Sequence, residues 1–141
     1  MVDAISVRLA STADADTVEV RSLLALAIST GRVGGTVADC IANGIVLLAI
    51  VEGRVVGCLC LSSGGLTGEW RIEAIAVDSG WRHHGIGRRL IREATAHARA
   101  GAVVAETDSD GVGFYARCGF ATISLGEKYP GVQRFWCHWS V

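Results

Sequence analysis

The sequence carries no excess of charge. Thirteen basic residues against 14 acidic ones leave a formal net charge of −1. That balance gives no reason to expect a nucleic acid or an anionic membrane as partner, since both are held mainly by concentrated positive charge. Long apolar runs are missing too. The longest, Ile45 to Val51, falls far short of the roughly 20 residues that span a bilayer. The chain opens Met-Val-Asp, without a basic segment leading into an apolar one, so no secretory signal is expected. There is one proline, and no internal repeat, low-complexity tract or linker, so nothing divides residues 1–141 into more than one domain.

Half of the residues are apolar and 19% are charged, a globular composition. A chain of this length can bury roughly 70% of its unfolded surface. The five cysteines, Cys40, Cys58, Cys60, Cys118 and Cys137, are odd in number and sit in apolar stretches, where a thiol behaves as a small hydrophobe. Cys58 and Cys60 share one strand face, whereas zinc sites more often space their ligands around a turn. Buried reduced thiols are expected, with no metal and no disulfide, in a reducing, cytoplasmic compartment.

Periodicity and turn residues order the elements. Ile5 to Ala10 alternates as an edge strand. A helix follows, capped by Thr12 or Asp14, with Val18, Leu23, Leu24, Leu26, Ala27 and Ile28 on its apolar face and Gly31 as its stop. A second, short helix covers Val37 to Ala42. Two strands, Ile45–Val51 and Val55–Ser62, flank Glu52-Gly53-Arg54, a hairpin connection. Gly64-Gly65 and Gly68 open a looser turn into a strand from Glu69 to Val77. A helix from Gly85 to Ala100 carries Ile86, Leu90, Ala94 and Ala98 inward and Arg88, Arg89, Arg92, Glu93 and Arg99 outward. Then come a strand at Ala102–Thr107, a helix at Ser109–Arg117, and closing strands at Phe120–Leu125 and Arg134–Trp139, joined by a loop from Gly126 to Gly131. The order β, α, α, β, β, β, α, β, α, β, β describes an α/β (α+β) domain with one mixed sheet.

Arg82-His83-His84-Gly85-Ile86-Gly87 lies between a strand and a helix. The first N–H groups of a helix lack internal partners and sit at the positive end of its dipole, which is where an oxyanion binds. Glycines at 85 and 87 let phosphate oxygens approach the main chain, and Arg82 and Arg88 add charge from either side. A triphosphate loop would need Gly-Lys-Ser/Thr, but Arg88 and Arg89 follow Gly87. A dinucleotide fingerprint would need glycine where Leu90 stands.

The stretch resembles the acetyl-CoA loop Arg/Gln-x-x-Gly-x-Gly/Ala of the GNAT (Gcn5-related N-acetyltransferase) superfamily. Gly113-Phe114-Tyr115-Ala116-Arg117-Cys118-Gly119-Phe120 is similar to a second pattern of that family, Phe-Tyr-x-x-x-Gly-Phe, at the typical distance from the first. The resemblance implies a mixed, mostly antiparallel sheet whose fourth and fifth strands splay around the pantetheine arm of acetyl-CoA. Ile75, Ala76 and Val77 would then pair with that arm, and the amides of His83, His84, Gly85, Ile86, Gly87 and Arg88 with its pyrophosphate. The family often has an asparagine where this chain has Asp108. Tyr115 matches the tyrosine that often protonates the departing thiolate; packing is its other role.

Acetyl transfer to an amine also needs a proton acceptor. Strand alternation puts Glu69, Arg71, Glu73, Ile75 and Val77 on one face, which makes Glu73 the first candidate, with an ion pair to Arg71 as its structural alternative. Glu106 is the second, and the resemblance also allows for no protein base, since some members of the family accept an already neutral amine. His83 and His84 are adjacent on a loop with no further ligand nearby, which does not suit a metal. Trp136 and Trp139 read as core or as a strand-mediated homodimer contact. The expected acceptor is a small-molecule or peptide amine, and a non-catalytic acyl-CoA-binding domain of the same fold is the alternative.

Overall fold

The computed structural model describes residues 4–15, 17–64, 68–98 and 101–140, with the side chain of Thr30 left aside. Among the described residues, seven strands form one sheet: β1 (Ser6–Leu9), β2 (Gly44–Val51), β3 (Arg54–Ser63), β4 (Glu69–Val77), β5 (Ala102–Asp108), β6 (Ala121–Tyr129) and β7 (Val132–Ser140). Their spatial order is β1-β2-β3-β4-β5-β7-β6. All neighbours are antiparallel except β4 and β5. Helices α1 (Thr12–Ala15), α2 (Val18–Leu24) and α3 (Thr30–Asn43) cover one face, and α4 (Ile86–Ala98) and α5 (Val112–Arg117) the other.

Each face has its own core, because β3 buries both sets of alternating side chains. Leu59 and Leu61 pack with Ile86, Leu90, Ile91 and Ala94 of α4. Cys58 and Cys60 pack with Val20, Leu24, Val37 and Cys40 beneath α2 and α3. All five cysteines are free thiols. A hydrogen bond with Cys60 and, after it, burial push the Cys40 thiol well above its ordinary pKa. Among the described residues, no helix is long and apolar enough to cross a membrane.

The N-terminal helices differ from the expectation. Ser11 and Asp14 cap α1 reciprocally: the Asp14 N–H donates to Ser11 Oγ at 3.2 Å, and the Ser11 N–H to Asp14 Oδ2 at 3.2 Å. α1 ends at Ala15, and Thr17 Oγ1 accepts from the Val20 N–H to start α2. Gly31 does not stop a helix. It is the second residue of α3, which runs 14 residues to Asn43. Glycines at 31, 34 and 35 conceal this helix from propensity, since each costs roughly 1 kcal/mol relative to alanine. Val18 and Leu26, expected on a buried face, are 80% and 60% exposed.

The expected loop from Gly126 to Gly131 is instead strand on both sides of a tight turn at Pro130-Gly131, with two register shifts along β6. The expectations for Gly65 and Arg99 lie outside the described residues.

Candidate active site

β4 and β5 pair only at Glu69–Ala102, Trp70–Val103 and Arg71–Val104. Beyond that point β4 stays bonded to β3 as far as Val77, opposite Gly57, and β5 stays bonded to β7 as far as Asp108, opposite Arg134. Each strand therefore keeps its outer partner while its inner edge faces a wedge. Backbone N–H and C=O groups along such an edge need partners, and an extended ligand carrying amides can supply them.

The mouth of the wedge is a cleft of about 340 Å³ at the start of α4. Val77, Arg82, His83, Gly85, Ile86, Gly87 and Arg88, all expected to hold the cofactor, line it. His84, Ile75 and Ala76 do not. Ile75 packs into the α4-side core and Ala76 into the α3-side core, so only the main chain of these two can face the wedge. The His84 Nδ1–H donates to the Arg82 carbonyl at 2.9 Å, so the exposed ring braces the loop from its own backbone. Sequence reasoning had not assigned Trp81, Arg117 or Cys118 to the site, yet they line the same cleft, as does Phe114. Trp81 abuts the first motif, and Phe114, Arg117 and Cys118 lie inside the second.

The α4 ladder begins with the Arg89 N–H bonded to the Gly85 carbonyl. The amides just before it have no place in the ladder and point out of the helix end, the arrangement that favours an oxyanion. The loop reaches this position through backbone that L side chains seldom adopt, with φ +67 at His83 and +76 at Gly85. Gly87 serves packing instead: a Cβ there would meet the Phe114 ring at 3.0 Å. Arg88 donates to the Arg117 carbonyl at 3.3 Å, at the C-terminal end of α5, where a cation is favoured.

Tyr115 is buried beside the Phe114 and Phe120 rings, with centroids 5.3 Å away in each case. Burial pushes its hydroxyl well above the ordinary phenolic pKa, with smaller contributions from Cys137 and Cys118, so it stays protonated through the neutral range. No fully buried polar side-chain atom among the described residues lacks a partner. Asp108, at the position of the family asparagine, is committed to its own turn. Its Oδ1 accepts from the Asp110 and Gly111 N–H groups at 3.0 Å each, shaping the entry to α5.

The alternation expected along β4 fails at Glu73. Leu61 opposes Ile72 and Cys60 opposes Ala74, which leaves Glu73 as the extra residue of a β-bulge. Ile72 and Ile75 consequently share the α4-side core, whereas Glu73 leans to the α3 side. There its Oε1 accepts from Ser62 Oγ at 2.8 Å and lies 3.7 Å from Arg71 Nε. The Arg71 guanidinium sits 5.7 Å from the Trp136 ring centroid. Glu106, the second candidate base, is held by Lys128 Nζ at 2.9 Å and Arg134 Nε at 3.0 Å. Its carboxyl is thereby lowered below the usual range, chiefly by Lys128, which makes it a poor proton acceptor. Among the described residues, no group of three or more His, Cys, Asp and Glu side chains is placed to hold a metal ion.

Comparison with known proteins places this geometry. Residues 42–122 match the family model described as an acetyltransferase (GNAT) domain. The chain is 38% identical over 86 residues to the N-alpha-acetyltransferase RimI of Mycobacterium tuberculosis, a match covering 57% of this chain and 54% of that protein. The chain thus spans about half the length of this relative. A GNAT-family protein from Desulfovibrio desulfuricans superimposes with a TM-score of 0.81 at 21% identity, covering 97% of this chain and 99% of that one. A GNAT-family acetyltransferase from Elizabethkingia anophelis, solved with acetyl-CoA bound, gives 0.77 at 19%, covering 97% and 98%. At such identities these two likenesses speak for the fold.

Proposed function

Because the chain belongs to the GNAT acetyltransferase family, we propose that it transfers an acetyl group from acetyl-CoA to the primary amine of a small molecule or peptide. The observation that carries this reading is the wedge between β4 and β5, which closes at Arg71–Val104 and opens onto the free amides of α4. A thioester on an extended amide-bearing arm, anchored by a diphosphate, matches both ends of it. The five free thiols favour a cytoplasmic setting.

In this reading the main chain of Ile75, Ala76 and Val77 pairs with the pantetheine amides, and the amides of His83 to Arg88 hold the pyrophosphate. Arg82 and Arg88 supply countercharge at the cleft. Glu73 accepts the proton that the amine loses as its nitrogen bonds to the acetyl carbon, directly or through one water. A main-chain N–H near Val77 meets the developing oxyanion. Tyr115 gives its proton to the sulfur as the carbon–sulfur bond breaks, and the proton taken by Glu73 restores it through solvent. The products are an N-acetylated amine and free coenzyme A.

Release of free thiol from acetyl-CoA, followed across a broad panel of amines, tests this. Amine-dependent release is expected. Tight binding of acetyl-CoA by calorimetry, with no amine accelerating release, would leave only the acyl-CoA-binding reading.

A further inference from the structure

Glu73 lines a second cleft, of about 340 Å³, on the α3 side of β4 with Arg32, Gly35, Thr36 and Asp39. Residues 32, 36 and 39 are four and then three apart, which puts them on one stripe of α3 beside its buried face of Val33, Val37 and Cys40. At 1.5 Å per residue, Arg32 and Asp39 stand about 10 Å apart along the helix. The bulge at Glu73 falls just past the last β4–β5 pair, so this cleft and the apex of the wedge meet at one short strand segment.

The charges in the cleft do not cancel internally. Glu73 is answered by Arg71 and Ser62. Among the described residues, the Asp39 side chain accepts only from a neutral amide, Asn43 Nδ2 at 3.1 Å. The Arg32 side chain makes no ion pair or hydrogen bond with another described residue. One uncompensated charge of each sign remains, at opposite ends of a short stripe. Between them lies Gly35, where an added Cβ would meet nothing within 4 Å. Packing does not require a glycine there, and alanine is the better helix former; the bare position leaves room for a ligand against the helix.

We propose that the acceptor is a small zwitterion, an amine that carries its own anionic group, with its nitrogen at Glu73 and its anion at Arg32. This rests on the transferase reading above. A neutral-tailed amine, or a peptide N-terminus without a nearby anion, leaves Arg32 unanswered. Thr36 sits between the charged ends and offers a hydroxyl to the anion.

The test measures thiol release from acetyl-CoA with alanine, serine, glutamine and lysine, each beside its carboxamide, and with short peptides. Wild-type kcat/KM is expected to favour the free acid over the amide by about 10- to 100-fold, the range of one charge-assisted contact. Arg32→Ala abolishes that preference through the acceptor KM while leaving the KM for acetyl-CoA unchanged, and Arg32→Lys restores part of it. Gly35→Ala raises the melting temperature and raises the acceptor KM together, a split that a purely structural glycine would not produce. Equal use of acid and amide, or release with peptides alone, with Arg32→Ala indistinguishable from wild type, overturns the proposal and leaves the transferase reading standing. Binding of acetyl-CoA without release on any amine removes both.

Discussion

A methyl group added at Gly87 meets the Phe114 ring at 3.0 Å, whereas one added at Gly85 meets nothing within 4 Å. The two glycines of one motif thus answer to different constraints. Gly85→Ala has room but must hold φ +76, which costs an L residue about 1 kcal/mol. Gly87→Ala keeps ordinary helical backbone and displaces Phe114 from the cleft wall. Urea denaturation should show Gly85→Ala less stable by roughly that amount, with its affinity for coenzyme A reduced by calorimetry because the loop relaxes. Gly87→Ala should weaken coenzyme A binding as well, but with an altered aromatic near-ultraviolet signal that Gly85→Ala lacks. Nothing in the sequence separated these roles, since the ring that Gly87 abuts is 27 positions downstream.

Tyr115 was legible in the sequence as a motif residue, and its burial gives it a second, measurable consequence. Tyr115→Phe should lower turnover at least ~10-fold with coenzyme A affinity nearly unchanged, because a lost proton donor acts on the transition state rather than on ground-state binding. Wild-type turnover in that variant removes Tyr115 from the chemistry. Its hydroxyl pKa is raised in the folded protein, so the stability it contributes is present below the unfolded value near 10 and is lost as pH climbs above it. The buried thiols, also raised, begin the same decline near pH 8.5. Urea midpoints should therefore fall with pH in both proteins, and the extra fall above pH 10 should be absent in Tyr115→Phe.

At the scale of elements, periodicity served where an element has one buried and one wet face, or buries a full apolar run. β2, β3, β4 and α4 are of this kind, and the residues of their cores were readable. It failed where local chemistry competes with pattern. Three glycines made α3 look like a turn, and the bulge at Glu73 reversed a parity that no single residue in β4 announces. β6 is exposed along its whole length, so it carries no alternation to read. The backbone ladder with β7 orders that hairpin, and charge adds to it: Lys128 of β6 and Arg134 of β7 close on Glu106 of β5. The lowered carboxyl makes a signed prediction. Its contribution to stability is present above the unfolded glutamate value near 4.3 and is lost as pH falls through the lower folded value. Glu106→Gln should be less stable than wild type at neutral pH, and the difference should shrink toward zero on acidification below pH 4, as followed by chemical denaturation. A gap that persists at low pH would mean that glutamine disturbs packing rather than charge.

For the molecule as a whole, the wedge is an internal defect in an otherwise continuous sheet. Residues 72–77 and 105–108 each have one bonded edge and one edge facing the gap, and the amides that open α4 are likewise outside any ladder. A ligand that pairs with both sets joins the β1–β4 half of the sheet to the β5–β7 half, whose strands are otherwise paired at three positions at one end, over a shared core beneath α4. Coenzyme A should therefore stabilise the whole chain and not merely the loop it touches. At about 100 times its dissociation constant, linkage contributes roughly 2.7 kcal/mol. With the usual sensitivity of domains near this size, that raises the melting temperature by about 10 °C. Hydrogen exchange should slow along the facing edges of β4 and β5 and at the start of α4, and a shorter mimic carrying only the nucleotide diphosphate should slow exchange at α4 alone. Protection confined to α4 with intact coenzyme A would show that the arm does not enter the wedge, and the acyl group would then have no path to Glu73.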